Sequence, residues 1–139
     1  MSIDCVTAYP LQPTQADSFG IADLAREFGI TPRALRFYEE EGLIAPRRDG
    51  ATRIYSRRDR ARVAWILRGK CMGFSLDDIG ELLDLYDLGD GRATQRAVTA
   101  ERCRTRADEL RQQLADVQNM IDQLSSFASA LERRKQAAA

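Results

Sequence analysis

The sequence contains no histidine among its 139 residues. The side chain that titrates nearest neutrality, and the commonest metal ligand, is missing, which weighs against most hydrolytic and metal-centred chemistry. Cysteine is scarce: Cys5, Cys71 and Cys103 are odd in number and far apart, with no CxxC pair. That argues against a disulfide framework and against a zinc site. No apolar run approaches the ~20 residues of a membrane span. The first residues lack the basic start and apolar run of a signal peptide. These absences lead us to expect a cytoplasmic protein without metal, cofactor or membrane partner. Catalytic residues are not expected either. Asp77-Asp78 fall where a helix begins and favour its dipole. Glu39-Glu40-Glu41 read as the solvated back of a helix, with no nucleophile to serve.

Charge is present but unevenly placed. The net charge is zero, yet residues 31–72 hold 11 Arg/Lys against 5 Asp/Glu. Basic charge concentrated in one stretch is the electrostatic footprint of a nucleic-acid binder. The local signals in that stretch are ordered. Ile21, Leu24, Ala25 and Phe28 recur at helical spacing, and Gly29 breaks the pattern. Thr31 suits an N-cap and Pro32 the first helical position. A second helix then runs to about residue 41 and stops at Gly42, a C′ glycine. Residues 43–45 and 53–55 read as short strands around a hairpin tip at 46–52 that contains Asp49-Gly50. Ser56-x-x-Asp59 and Ser75-x-x-Asp78 open two further helices in the manner of capping boxes. The latter helix buries Ile79, Leu82, Leu83 and Tyr86, and Gly89-Asp90-Gly91 forms a loop.

The expected architecture is all-α with a small β wing, a winged helix-turn-helix followed by a long dimerisation helix. A flexible arm occupies residues 1–17, the winged domain 18–88, a linker 89–93, the long helix 94–135 and a disordered tail 136–139. On the long helix Ala100, Cys103, Ala107, Leu110, Leu114, Val117, Ile121, Leu124, Ala128 and Leu131 alternate steps of three and four. This is a heptad seam of about five repeats, and a second copy of the chain would cover it. The seam itself does not separate parallel from antiparallel pairing.

The candidate DNA-contacting residues follow from placement. Arg33 and Arg36 lie three apart on the second helix, where arginine reads guanine or clamps phosphate. Thr31 begins that helix. Tyr38 either donates its hydroxyl to phosphate or packs on the first helix. Arg47 and Arg48 lie near the hairpin tip, Arg53 and Tyr55 in the wing strand, and Lys70 at the end of the third helix. Arg57, Arg58, Arg60 and Arg62 are spread around a helix and cannot all face DNA.

Phe19-Gly-Ile-Ala-Asp-Leu-Ala-Arg, Thr31-Pro-Arg-Ala-Leu-Arg-Phe-Tyr-Glu-Glu-Glu-Gly-Leu, Arg53-Ile-Tyr-Ser and Met72-Gly-Phe-Ser-Leu-Asp-Asp-Ile resemble, in order and spacing, the MerR family of bacterial transcription regulators. The resemblance covers about residues 18–131. It implies an antiparallel coiled-coil homodimer with a winged helix at each end. It also implies a pseudo-palindromic operator in an over-long promoter spacer. Bending and untwisting that DNA lets RNA polymerase engage both promoter elements. Arg36 and Tyr38 match the family's recognition-helix contacts, Arg53 the wing contact and Lys70 the contact after the third helix.

The departures bear on the signal. The cysteine loop of the metal-sensing and iron–sulfur members has no counterpart, and Arg96 stands at the early-cysteine position. We expect no large C-terminal effector domain after the long helix. Ile66-Leu-Arg-Gly-Lys and Glu81-Leu-Leu-Asp-Leu-Tyr-Asp look like regulators of leucine and isovalerate catabolism, which implies a small organic acid or acyl-CoA effector. Two other readings stay open: a metal or thiol-redox sensor using Cys71 and Cys103, and an architectural DNA-binding protein that never activates.

Overall fold

A computed structural model describes residues 4–5, 7–85 and 93–138. The elements run β1 (Ser18–Phe19), α1 (Ile21–Phe28), α2 (Pro32–Glu40), β2 (Arg47–Asp49), β3 (Thr52–Ser56), α3 (Arg57–Cys71), α4 (Leu76–Asp84) and α5 (Ala93–Ala138). The chain divides into two compact units, Met1–Gln95 and Arg96–Ala139. The Gly89-Asp90-Gly91 loop and Tyr86 lie outside the described residues.

Capping chemistry sets the helix ends in the first unit. Asp23 Oδ2 accepts from the Gly20 N–H at 2.9 Å and opens α1. Gly29, at φ 66°, closes it, and only glycine adopts that conformation without strain. Thr31 Oγ1 accepts from the Ala34 N–H at 3.1 Å, with Pro32 at the first helical position. At the other end of α2 the Gly42 N–H donates to the Glu39 carbonyl at 3.0 Å and the Leu43 N–H to the Tyr38 carbonyl at 2.9 Å. These two bonds are a Schellman motif, and Leu43 and Tyr38 join the same core. Ser56 and Asp59 cap α3 reciprocally, and Ser75 Oγ accepts from the Asp78 N–H to start α4.

The wing departs from the sequence expectation. Residues 43–45 form no strand; β2 is Arg47–Asp49. Leu43 and Ile44 are both buried, which breaks strand alternation. Their backbone is held by α3 instead: Arg62 Nε donates to the Leu43 carbonyl at 2.6 Å, and the Ala45 N–H donates to Asp59 Oδ1 at 3.1 Å. The hairpin loop shortens to Gly50-Ala51, between the Asp49↔Thr52 pair. A third strand, unforeseen in the sequence, completes the sheet in the order β1-β3-β2, with Phe19 opposite Tyr55.

The core gathers Leu24, Phe28, Leu35, Tyr38, Tyr55, Val63, Ile66 and Ile79 from α1, α2, β3, α3 and α4. Gln95, on the first turn of α5, is buried and donates from Nε2 to the Leu82 carbonyl at 3.0 Å.

The arm expected to be flexible is fastened. Cys5 and Cys71 form a disulfide, which corrects the reading that the cysteines are too scattered to pair. Spacing along the chain says little about distance in space, and here 66 residues separate the partners. The long helix reaches Ala138, so residues 136–138 continue it rather than forming a disordered tail. Its start at Ala93 takes in the last residue of the expected linker.

In the second unit α5 carries its apolar residues in the open. Leu110, Leu114, Val117, Ile121, Leu124 and Leu131 are each between 45% and 70% exposed. Met120 and Phe127, both 64% exposed, sit one position before seam residues and widen the apolar strip at its centre.

Candidate nucleic-acid interface

The residues singled out in the sequence gather around α2. Arg33 and Arg36 are exposed, about 60° apart on the helix. Thr31 spends its hydroxyl on the helix cap. Phe37, between the two faces, is 43% exposed. Arg47 and Arg48 are exposed on β2, and Arg53 lies half-buried on β3.

Tyr55 does not belong to a contact surface: it is 0% exposed, and its hydroxyl has no hydrogen-bond partner among the described residues. Burial raises its pKa above the ordinary phenol value. The alternation that put Tyr55 beside Arg53 in the sequence puts it on the opposite face of the strand, toward the core. Tyr38 is also buried, at 2% exposure, as packing on the first helix would require. Its hydroxyl still finds a basic partner. Lys70 Nζ donates to it at 3.3 Å and sits 5.5 Å from the ring centroid. The end of α3 is thereby tied to α2.

A second tie was missed in the sequence. Arg48 and Arg53 are directly opposite each other across the wing, a like-charge pairing that by itself destabilises a hairpin. Glu39 of α2 accepts from Arg53 Nε at 2.6 Å and from Arg48 at 2.9 Å. The carboxylate offsets the repulsion and links α2 to the wing. The Arg53 hydrogen bond is the main cause that holds the Glu39 carboxyl below its ordinary pKa, with Arg48 adding to it. Glu39 is thus no part of a solvated back. The available signal was a carboxylate run followed within ten residues by an arginine-rich ribbon.

The arginines of α3 are not equivalent. Arg60 is buried, donates from Nε to both Glu27 oxygens at 2.9 Å, and stacks 5.2 Å from the Phe19 ring centroid. Arg62 holds the Leu43 carbonyl. Both are structural. Among the described residues no cluster of His, Cys, Asp or Glu has the geometry to hold a metal ion. Cys71 is bonded to Cys5, so it is not a thiol partner for Cys103, which is unpaired and half-buried on α5.

The fold and this basic assembly have clear relatives. A family model for the MerR HTH family regulatory protein matches residues 19–85, and one for MerR, DNA binding, matches residues 60–127. The HTH-type transcriptional regulator CueR of Salmonella typhi is 31% identical over 112 residues, spanning 79% of each chain. The chain belongs to the MerR family. The mercuric resistance operon regulatory protein of Shigella flexneri is 30% identical to this MerR-family chain over 121 residues, 86% of this chain and 81% of its own. HiNmlR, a MerR family regulator lacking the sensor domain and solved bound to promoter DNA, superposes with a TM-score of 0.54 at 26% identity. That match covers 76% of this chain and 79% of HiNmlR. A MerR-family transcriptional regulator from Bacillus cereus, 24% identical, shares the fold with a TM-score of 0.57 over 78% of this chain and 75% of its own. The chain is a DNA-binding transcriptional regulator, with a winged helix-turn-helix followed by a long C-terminal helix.

Proposed function

We propose that this regulator acts as a homodimer on a pseudo-palindromic promoter site and changes the geometry of the promoter for RNA polymerase. The observation that carries the reading is the bare seam of α5. Eight large apolar side chains between Leu110 and Leu131 are exposed. Apolar side chains repeating at heptad spacing along one strip are what a second helix covers in a coiled coil. An antiparallel pairing, implied by the family, sets one winged domain at each end of the coil. In this reading Arg33, Arg36, Arg47, Arg48, Arg53 and Lys70 contact the duplex. Tyr38 acts through Lys70 rather than by touching phosphate. The signal is a small organic acid or acyl-CoA of branched-chain catabolism, a reading supported by the likeness of residues 66–70 and 81–87 to regulators of that chemistry.

The test is selection of binding sites from a random duplex pool by the full chain, followed by footprinting of the enriched duplex. Two half-sites in inverted repeat, protected together by a dimer, are expected. Enrichment of a single unrepeated site bound by a monomer would refute the proposal.

A further inference from the structure

The arm lies along one face of α3, and the arginine contacts that hold it run in one order. Arg57 donates to Asp17 Oδ1 at 3.0 Å and to the Thr14 carbonyl at 2.8 Å. Arg60 donates to the Gln12 carbonyl at 2.8 Å. Arg68 donates to the Ala8 carbonyl at 2.9 Å and the Tyr9 carbonyl at 3.4 Å. Cys71 then meets Cys5. The partners descend from 17 to 5 on the arm as they ascend from 57 to 71 on α3. Residues 57, 60, 64, 68 and 71 fall on one stripe of an α-helix. Three arginines of α3, Arg57, Arg60 and Arg68, are thus spent on arm carbonyls. The sole covalent fastening of this strap is at the end of α3, one residue from Lys70, whose ammonium sits on Tyr38.

Promoter DNA lies in a compartment where thiols are kept reduced, and disulfides formed there are usually transient and redox-sensing. Both cysteines are half-buried rather than sealed in the core, so a small thiol or disulfide can reach them. We propose that Cys5 and Cys71 are a reversible dithiol–disulfide site for a low-molecular-weight disulfide. Closing it fastens the arm on α3, and the fastened state binds the operator more tightly because it holds the turn that carries Lys70. The second half of this inference rests on the promoter-binding reading above.

The chemistry balances within the site. The thiolate of one cysteine attacks the small disulfide and expels one small thiolate, leaving a mixed disulfide. The thiolate of the other cysteine attacks the protein sulfur, forms the Cys5–Cys71 bond and expels the second small thiolate. Two protein thiols are oxidised and one small disulfide is reduced to two thiols. The protons lost by the cysteines pass to the departing thiolates.

Three readouts on the full chain test this, with glutathione disulfide as oxidant and dithiothreitol as reductant. Alkylation under denaturing conditions should find one thiol, Cys103, after oxidation and three after reduction. Chymotrypsin should cut the arm after Leu11 at least tenfold faster in the reduced chain, and equally fast in Cys5→Ser under either condition. Binding to the duplex enriched by selection should weaken at least threefold on reduction in the wild type, with no redox response in Cys5→Ser. Three reactive thiols after oxidation, equal cleavage in the two states, or equal affinity in the two states would each overturn the proposal. Thiol counting and cleavage involve no DNA, so failure of the promoter reading would show as an empty selection while the strap still opened and closed.

Discussion

α3 and α4 approach closely at Gly69, and the approach yields a quantitative prediction. A Cβ added to Gly69 would lie 2.7 Å from Ile79 Cγ1 and 2.8 Å from Ile79 Cδ1. Comfortable carbon–carbon contact begins near ~3.5 Å, so something must move by most of an ångström. Ile79 is buried at 3% exposure, and a β-branched side chain in a helix has essentially one χ1 well. It cannot swing aside, so α3 and α4 must separate. Two effects of Gly69→Ala therefore oppose each other. Alanine gains about 1 kcal/mol in helix propensity over glycine. Overpacking a tight core costs about 1–3 kcal/mol, and with two atoms in conflict the upper part of that range applies. The clash should win, leaving a net loss of about 1–2 kcal/mol. For a unit of this size that lowers the thermal midpoint by roughly 5–10 °C. The single tryptophan, Trp65, sits partly buried on α3 against the same core, so its fluorescence during urea unfolding reports on this unit. Ile79→Val trims Cδ1 and should relieve part of the loss, so the double mutant should be less destabilised than the sum of the singles by at least ~0.5 kcal/mol. A Gly69→Ala chain more stable than wild type would mean that propensity won and that the helices are not this close.

Three other perturbations follow from the interface and the seam. Arg36→Ala should weaken specific duplex binding by roughly 10- to 100-fold while sedimentation still shows a dimer; undiminished affinity for the selected site would remove Arg36 from the contact set. Leu114→Asp with Val117→Asp places charge in the exposed seam and should yield monomers by sedimentation velocity, and wild-type self-association would end the coiled-coil reading. Because Arg53 and Arg48 depress the Glu39 pKa in the folded chain, their pairing stabilises the fold at pH above the ordinary glutamate range. That contribution is lost as pH falls through the depressed folded value. Urea titrations of wild type and Glu39→Gln should therefore differ near neutrality and converge in acid, whereas a gap that persists into acid would deny that the charge matters.

What could be read in the sequence was local. Thr31-Pro32, Ser56-x-x-Asp59 and Gly42 each act within four residues, so their spacing carries their meaning, and the structure shows each in that role. The heptad steps of α5 are equally local, although Met120 and Phe127 lie just off the strict repeat and escaped the pattern. What could not be read was decided across the fold. β1 is two residues long and exists only because β3 lies beside it. Residues 43–45 carry strand-forming side chains, yet Arg62 and Asp59 of α3 take up their hydrogen-bonding groups. Glu39 was grouped with Glu40 and Glu41 by adjacency, although its neighbours in space are the wing arginines. Tyr55 was grouped with Arg53 for the same reason and faces the core. The arm gives no periodic signal because α3 holds it in good part by the carbonyls of Ala8, Gln12 and Thr14 rather than by a repeating set of side chains.

The Glu39 bridge also changes how this protein should respond to salt. On the proposed interface Arg48 and Arg53 meet the duplex already carrying an internal counterion, so the bridged trio presents one net positive charge instead of two. For duplex binding the logarithm of affinity falls with the logarithm of salt concentration in proportion to the phosphates neutralised. A count of basic residues in the wing therefore overstates how steeply added salt dissociates the complex. The cell's ionic strength can vary with less effect on occupancy than the arginine content suggests, while the two guanidinium groups, held in place before DNA arrives, lose little freedom on binding.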